Sequence, residues 1–324
     1  MSRPERFGER TVRRHPWAVI LAGGDGSRLR ALTRAMAGDD RPKLFCALVG
    51  ADALLTATRR RTAQMVPPHR TLVVVNRAHE TFYTPLLADL RVQAVAAQPE
   101  NRGTAPAILY ALLILASRGA AQDSVMFFPS DHFVSDDIAF MRHMEEALGA
   151  TALRPDLVTL LGVAPDRAEP GYGWIEPDEL VAGADAKVRQ VRSFWEKPAA
   201  ADAERIRQEG WLWNTFVMVG RVSTFLALVR LTAPDLYRSF TEIAPALGTV
   251  GERPALERLY CGLPSMDFSR HVLTARPDRL AVLSVRDVRW SDLGDPQRVL
   301  AARRWTETSD VLPASGPISK LLPA

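Results

Sequence analysis

Ala22, Gly23, Gly24, Gly26, Ser27, Arg28 and Lys43 form the first set of residues that could do chemistry. Three glycines in so short a run let the backbone turn sharply and leave amide N–H groups uncovered by side chains. Such amides can bind phosphate oxygens. Arg28 adds a planar fork of donors, and Lys43 adds a point charge after a short loop. The set predicts a site for a polyanion such as a nucleoside triphosphate. Read alone, a glycine-rich bend after a strand is equally often only a turn. Its order excludes two common motifs. Counted from Gly24, the dinucleotide pattern G-x-G-x-x-G needs glycine at position 29, where Leu29 stands, and no G-x-x-x-x-G-K-[ST] occurs.

Carboxylates form the second set. Asp131, in Phe128-Pro129-Ser130-Asp131-His132, falls at the end of an apolar run. A carboxylate there suits Mg²⁺, which takes one or two carboxylates plus phosphate oxygens and water. An isolated Asp at a strand end is more often a turn or cap residue. Asp292, in Trp290-Ser291-Asp292-Leu293-Gly294, follows the last strand and carries no assignment by itself. The adjacent Glu196 and Lys197 read alone as a solvated ion pair worth about 0–1 kcal/mol. Gly171-Tyr172-Gly173 reads as a turn. Trp213-Asn214 is as readily a core Trp beside a turn Asn as a ligand contact.

These residues need elements to hold them. Ala18 to Ala22 is an apolar run suited to a strand buried on both faces. Leu72–Asn76, Val92–Ala96, Ser124–Phe128 and Leu157–Val163 read as further strands. Helices are expected over Leu54–Met65, His79–Leu90, Thr104–Arg118 and Ile138–Leu148, with Thr104 as an N-cap and Pro106 in the first turn. This β-α alternation over the first 165 residues predicts a doubly wound α/β sheet. Ligands of such sheets bind at the carboxyl ends of the strands, where both the glycine bend and Asp131 fall.

The second half is less regular. Strands are expected at Val188–Val191, Ser193–Trp195, Phe216–Val219 and Leu280–Val285, and helices over Ala199–Glu209, Val222–Leu231 and parts of Ser239–Tyr260. The expected organisation is a basic arm over residues 1–16, one domain over 17–305 with halves at 17–165 and 166–305, and a loose tail over 306–324.

Composition narrows the class. The 324 residues are 47% hydrophobic and 24% charged, ordinary for a globular enzyme, with a net charge of +4. Five arginines of the N-terminal arm hold much of the excess, and no basic patch interleaved with aromatics appears elsewhere, so nucleic acid is not expected as a partner. Cys46 and Cys261 give neither a disulfide framework nor metal-ligand spacing. No leader-like apolar region opens the chain and no apolar stretch reaches bilayer length, so a cytoplasmic protein without membrane contact is expected.

The run Leu21-Ala22-Gly23-Gly24-Asp25-Gly26-Ser27-Arg28-Leu29, followed by Pro42-Lys43, resembles the signature of the sugar-1-phosphate nucleotidyltransferases, L-A-G-G-x-G-[ST]-R-L and then P-K. The other matches run nearly to residue 296. Pro129-Ser130-Asp131-His132 is similar to the family's P-[SA]-D-H, Phe194-Trp195-Glu196-Lys197-Pro198 to F-x-E-K-P, Trp290–Gly294 to W-x-D-[VIL]-G, Trp213-Asn214-Thr215 to W-N-[ST], and Gly171-Tyr172-Gly173 to [TS]-G-Y-G, with Pro170 where Thr or Ser is usual. Arg102-Gly103-Thr104-Ala105-Pro106-Ala107 and Pro264-Ser265-Met266-Asp267-Phe268 resemble R-N-T-A-P-A and P-S-I-D-Y of the mannose-1-phosphate guanylyltransferase branch. Gly103 stands where that branch has Asn, so a side-chain donor and acceptor are missing there.

The resemblance implies a Rossmann-like mixed sheet with a sugar-binding second half. It implies GTP and mannose 1-phosphate as substrates and Mg²⁺ held by Asp131 and Asp292. Arg28, Lys43, Asp131 and Lys197 would be catalytic. Residues 22–24, 26–28 and Lys43, with Arg102 and Thr104 near the base, would bind the nucleotide. Gly171, Gly173, Glu196, Lys197 and Asn214 would bind the sugar phosphate. Two alternatives stay open, another pair such as UTP or dTTP with glucose 1-phosphate, and a sugar-nucleotide binder without turnover. A homodimer is compatible with the sequence.

Overall fold

The computed structural model describes residues 15–183 and 187–307. The basic arm before His15 and the tail beyond Glu307 lie outside the described residues. Among the described residues, eleven strands occur: β1 (Trp17–Ala22), β2 (Thr71–Asn76), β3 (Val95–Gln98), β4 (Ser124–Pro129), β5 (Phe133–Val134), β6 (Val158–Val163), β7 (Gly173–Leu180), β8 (Val188–Glu196), β9 (Leu212–Arg221), β10 (Leu280–Val285) and β11 (Trp290–Ser291). The helices are α1 (Arg30–Ala37), α2 (Leu54–Ala63), α3 (Glu80–Tyr83), α4 (Thr104–Ser117), α5 (Asp137–Leu153), α6 (Ala200–Gln208), α7 (Val222–Thr232), α8 (Pro234–Ile243), α9 (Glu252–Cys261) and α10 (Pro296–Glu307), with short 3₁₀ turns and a π-helical turn (Ser269–Leu273) between them.

Nine strands form one mixed sheet in the order β3-β2-β1-β4-β9-β6-β10-β8-β7. The expected α/β architecture is therefore present. β1 lies parallel to β2 and β4, while β9 runs antiparallel between β4 and β6. β5 and β11 form a separate two-stranded ribbon. β1 is buried on both faces: Val19 joins one hydrophobic cluster with α4, and Ala18 and Ile20 join another with α5. Apolar runs without alternation are what such a strand requires.

Several expectations need correction. The helix expected over His79–Leu90 stops at Tyr83. Pro85 has no amide hydrogen and its ring crowds the preceding turn. The third strand begins three residues later than expected, at Val95, which brings Gln98 into the sheet. Thr104 is not the cap of α4; Gly103 is, and the Thr104 hydroxyl accepts a bond from the Phe268 amide at 2.7 Å. β7 was hidden by Pro177 and by acidic residues, and its pairing with β8 shifts register at Pro177. β9 starts at Leu212, four residues before the expected Phe216. α10 was not anticipated at all, and Thr306 and Glu307, assigned to the tail, close it.

The start of β9 carries a bulge. Leu160 faces Met218 and Gly162 faces Asn214, so β9 spends two extra residues over that step. Thr215 stitches it by donating its hydroxyl to the Leu161 carbonyl at 2.7 Å and accepting from the Val217 amide at 3.2 Å. Phe216 takes a positive φ of 60°, and its amide donates to Asn214 Oδ1 at 3.0 Å. A bulge of this kind re-aims the side chains beside it.

Candidate active site

The ends of β1 and β4 place the first two components side by side. A cleft of about 300 Å³ is lined by Gly23 and Gly24 from the bend after β1, by Ser130, Asp131 and His132 after β4, and by Gln98, Asn101 and Thr104 between β3 and α4. Gly26 has a φ of 58°, and a Cβ there would stand 2.9 Å from the Lys43 backbone nitrogen. Only glycine lets the bend sit this close to the Pro42-Lys43 turn.

Lys43 is buried, and its ammonium is turned toward the acids. Nζ lies 3.0 Å from Asp131 Oδ2 and donates to the backbone carbonyls of Asp292 at 2.5 Å and Leu293 at 3.2 Å. One cation from the first half thus joins the two acidic motifs, which are far apart in sequence. Arg28 remains exposed, with its guanidinium 4.0 Å from Asp292 Oδ2.

Asp292 is held mainly through one oxygen. Its Oδ1 accepts from the Tyr172 hydroxyl at 3.0 Å, the Arg298 guanidinium at 2.8 Å and the Gly294 amide at 2.9 Å. Arg298 itself reaches Glu169 at 2.7 Å and Asp295 at 3.0 Å, and lies over the Tyr172 ring at 4.4 Å. Burial pushes the Asp292 carboxyl up, but the Arg298 and Lys43 cations hold the group below the usual carboxylate range. Burial acts on Asp131 in the same sense, and Lys43 above all brings it down. Both acids therefore stay ionised at neutral pH. Burial lowers the His132 imidazole against the pull of Asp131 and favours its neutral form. Its ring packs edge-on against Trp290 at 5.2 Å.

The donor set fits a divalent ion. Among the described residues no group of three or more His, Cys, Asp or Glu forms a ready-made metal cage. Two carboxylates are enough for Mg²⁺ when phosphate oxygens and water complete the shell. Each acid keeps one lightly engaged oxygen among the described residues. Asp131 Oδ1 lies 3.6 Å from the His132 ring nitrogen, and Asp292 Oδ2 meets the distant Arg28.

The second half adds a polar corner. Gly173 pairs with Glu196 across β7 and β8, and Asn214 lies beside them. Burial raises the Glu196 carboxyl; Lys197 opposes this and Asp267 adds to it. Lys197 Nζ lies 3.3 Å from Glu196 Oε1 and is half exposed. The Lys197 amide donates to the Tyr172 carbonyl at 3.0 Å, so the polar corner is tied through Tyr172 to Asp292. Gly171 lies behind it, its amide donating to Glu169 at 2.9 Å. Asp267 lines the cleft at its junction with this corner.

Among the described residues four that are not glycine have positive φ, and three of them lie here: Lys197 at 54°, Phe216 at 60° and Leu293 at 48°. Such backbone costs about 1–3 kcal/mol each and concentrates at functional sites.

Arg102 is not among the residues that line the cleft. It pairs with Glu100 at 2.7 Å, and its carbonyl accepts from the Met266 amide at 2.9 Å. The two branch-specific motifs are thus laced to each other. Sequence reasoning missed Tyr172, Arg298, Gln98, Asn101 and Asp267 as members of the site. Tyr172 and Asp267 stood inside recognised motifs without a role of their own. Arg298 had only its i,i+3 spacing from Asp295 to signal it.

Known proteins resemble this chain over most of its length. The chain is similar to a xanthan biosynthesis protein, XanB, of Xanthomonas campestris, at 33% identity over 284 residues, which is 85% of this chain and 57% of the relative. It is 31% identical to the mannose-1-phosphate guanylyltransferase RfbM of Salmonella typhimurium, over 85% of this chain and 56% of that protein. The chain spans little more than half the length of these curated relatives. A crystal structure described as mannose-1-phosphate geranyltransferase from Thermus thermophilus superposes with a TM-score of 0.76 at 30% identity, covering 89% of this chain and 80% of that one. No described helix is long and apolar enough to cross a membrane. The family model for nucleotidyl transferases matches residues 17–309, nearly the whole chain, and the chain belongs to that family.

Proposed function

We propose that this chain is a cytoplasmic enzyme that transfers a guanylyl group from GTP to mannose 1-phosphate, giving GDP-mannose and pyrophosphate. One observation carries the reading: a single cleft brings the glycine bend together with Asp131, and Lys43 joins Asp131 to the Asp292 segment. A phosphate oxygen of the sugar phosphate attacks the α-phosphorus of GTP in line. The new P–O bond forms as the bond to the bridging oxygen breaks, and pyrophosphate departs. Such a reaction needs positioning and charge stabilisation rather than a covalent enzyme intermediate.

The amides of Gly23 to Ser27 and the Arg28 guanidinium hold the phosphates that leave. Lys43 keeps the two acids ionised and in register. Lys197, half exposed at the mouth of the polar corner, holds the sugar phosphate. Glu196, Asn214 and the Gly171–Gly173 segment meet sugar hydroxyls, and Arg102 and Thr104 fix the loop beside the base. Mg²⁺, when bound by Asp131 and Asp292, neutralises phosphate charge.

Gly103 favours one alternative, another base with another sugar 1-phosphate, because the branch's side chain is missing there. Pyrophosphate release across a panel of nucleoside triphosphates and sugar 1-phosphates decides between them. The GTP and mannose 1-phosphate pair should give the highest kcat/KM. A higher value for another pair replaces the substrate assignment. Binding of GDP-mannose with no release from any pair points instead to a non-catalytic binder.

A further inference from the structure

Gly103 has a φ of 87° and a ψ of −179°, a region that only glycine occupies readily. A Cβ there would stand 2.5 Å from the Met266 carbonyl oxygen. That carbonyl accepts from the Ala105 amide at 3.0 Å while the Met266 amide donates to the Arg102 carbonyl at 2.9 Å, so Met266 is fixed from both sides. This backbone cannot carry a side chain at position 103.

Asn101, two residues earlier, lines the cleft together with Gly23, Gly24 and Thr104. Its Oδ1 accepts from the Gly103 amide at 2.9 Å, and its Nδ2 donates to Asp25 Oδ2 at 2.8 Å. Asp25 belongs to the glycine bend, and its Oδ1 lies 3.4 Å from the His79 ring nitrogen. A carboxamide has two N–H donors and two acceptor sites. One of each is used, and one of each remains. A nucleobase edge presents neighbouring donors and acceptors, which a carboxamide can pair with.

We propose that Asn101, held by Asp25 and by the Gly103 amide, is the side chain that contacts the nucleobase, supplying the carboxamide that position 103 cannot. Asp25 is a positioning residue that acts through Asn101. The identity of the ligand rests on the nucleotidyl-transfer reading above.

The test compares wild type, Asn101→Ala, Asp25→Ala and the double variant. KM is measured for GTP and for mannose 1-phosphate, and kcat/KM for GTP, ITP and ATP. Loss of Asn101 should raise the KM for GTP about tenfold, the worth of one good hydrogen bond, and leave the sugar-phosphate KM within about twofold. The preference for GTP over the other bases should narrow. Asp25→Ala should show a smaller loss of the same kind, and the double variant no more than Asn101→Ala alone. An unchanged base preference, or equal losses for both substrates, overturns the inference. If the wild type turns over no substrate pair, the functional reading fails separately. Calorimetric GTP binding then reads Asn101 directly, and equal affinity of wild type and Asn101→Ala, including no binding by either, overturns the proposal.

Discussion

Asp131 is the residue on which the chemistry turns. It stands at the end of β4, faces the glycine bend across the cleft and is held ionised by Lys43. Asparagine keeps its shape and removes its charge. Asp131→Asn should therefore lower kcat by at least about a hundredfold while the far-ultraviolet spectrum stays that of the wild type. Activity near the wild-type level in that variant would remove Asp131 from the mechanism. Glu196 gives a stability prediction of opposite sign to most carboxylates. Burial raises its pKa above the ordinary 4.5, so the folded state favours the neutral acid. Its contribution to stability is fully present below 4.5 and is lost as pH rises through the raised value. Glutamine is neutral throughout. Glu196→Gln should melt a few degrees above wild type at about pH 8, with the gap closing below pH 4.5. A gap that widens toward acid would contradict the burial account.

α10 packs Val299 and Ala302 into a small core with Leu29 and Leu48, and it brings Arg298 to the site. Arg298 is buried against Asp292, Glu169 and Asp295, and its guanidinium covers the Tyr172 ring. It leaves Asp292 Oδ2 open by saturating Oδ1. Removing one partner of a buried ionic cluster leaves the others uncompensated, at a cost of about 3–5 kcal/mol. Arg298→Ala should lose stability on that scale in urea unfolding and also lose affinity for the divalent ion. A loss under about 1 kcal/mol, on the scale of a surface pair, would show that the cluster is solvated. The bulge in β9 plays a similar part for Asn214, since Thr215 and Phe216 fix the backbone from which its carboxamide projects.

At the scale of the molecule, one sheet carries both halves. β9, from the second half, lies between β4 and β6 of the first. The glycine bend and the polar corner therefore sit on one rigid support. The first half was legible because its strands are short apolar runs buried on both faces, each followed by a helix, as at Ala18–Ala22 and Leu72–Asn76. β7 was not, because a strand with Pro177 and several acids shows neither a run nor an alternation. α10 was not, because its sequence is polar and its contacts are made across the fold. For the same reason the local motifs pointed to Asp131, Asp292 and Glu196 as candidates but not to Arg298 or Asn101, whose meaning lies in partners remote in the chain. The central claim is that Asp131 and Asp292 share one divalent ion beside a bound triphosphate. The most direct measurement is anomalous diffraction from crystals soaked with GTP and Mn²⁺, which takes the place of Mg²⁺. A single peak about 2.1–2.3 Å from an oxygen of each aspartate and from a phosphate oxygen is expected. A peak bound by neither acid, or nucleotide density away from the glycine bend, would contradict it.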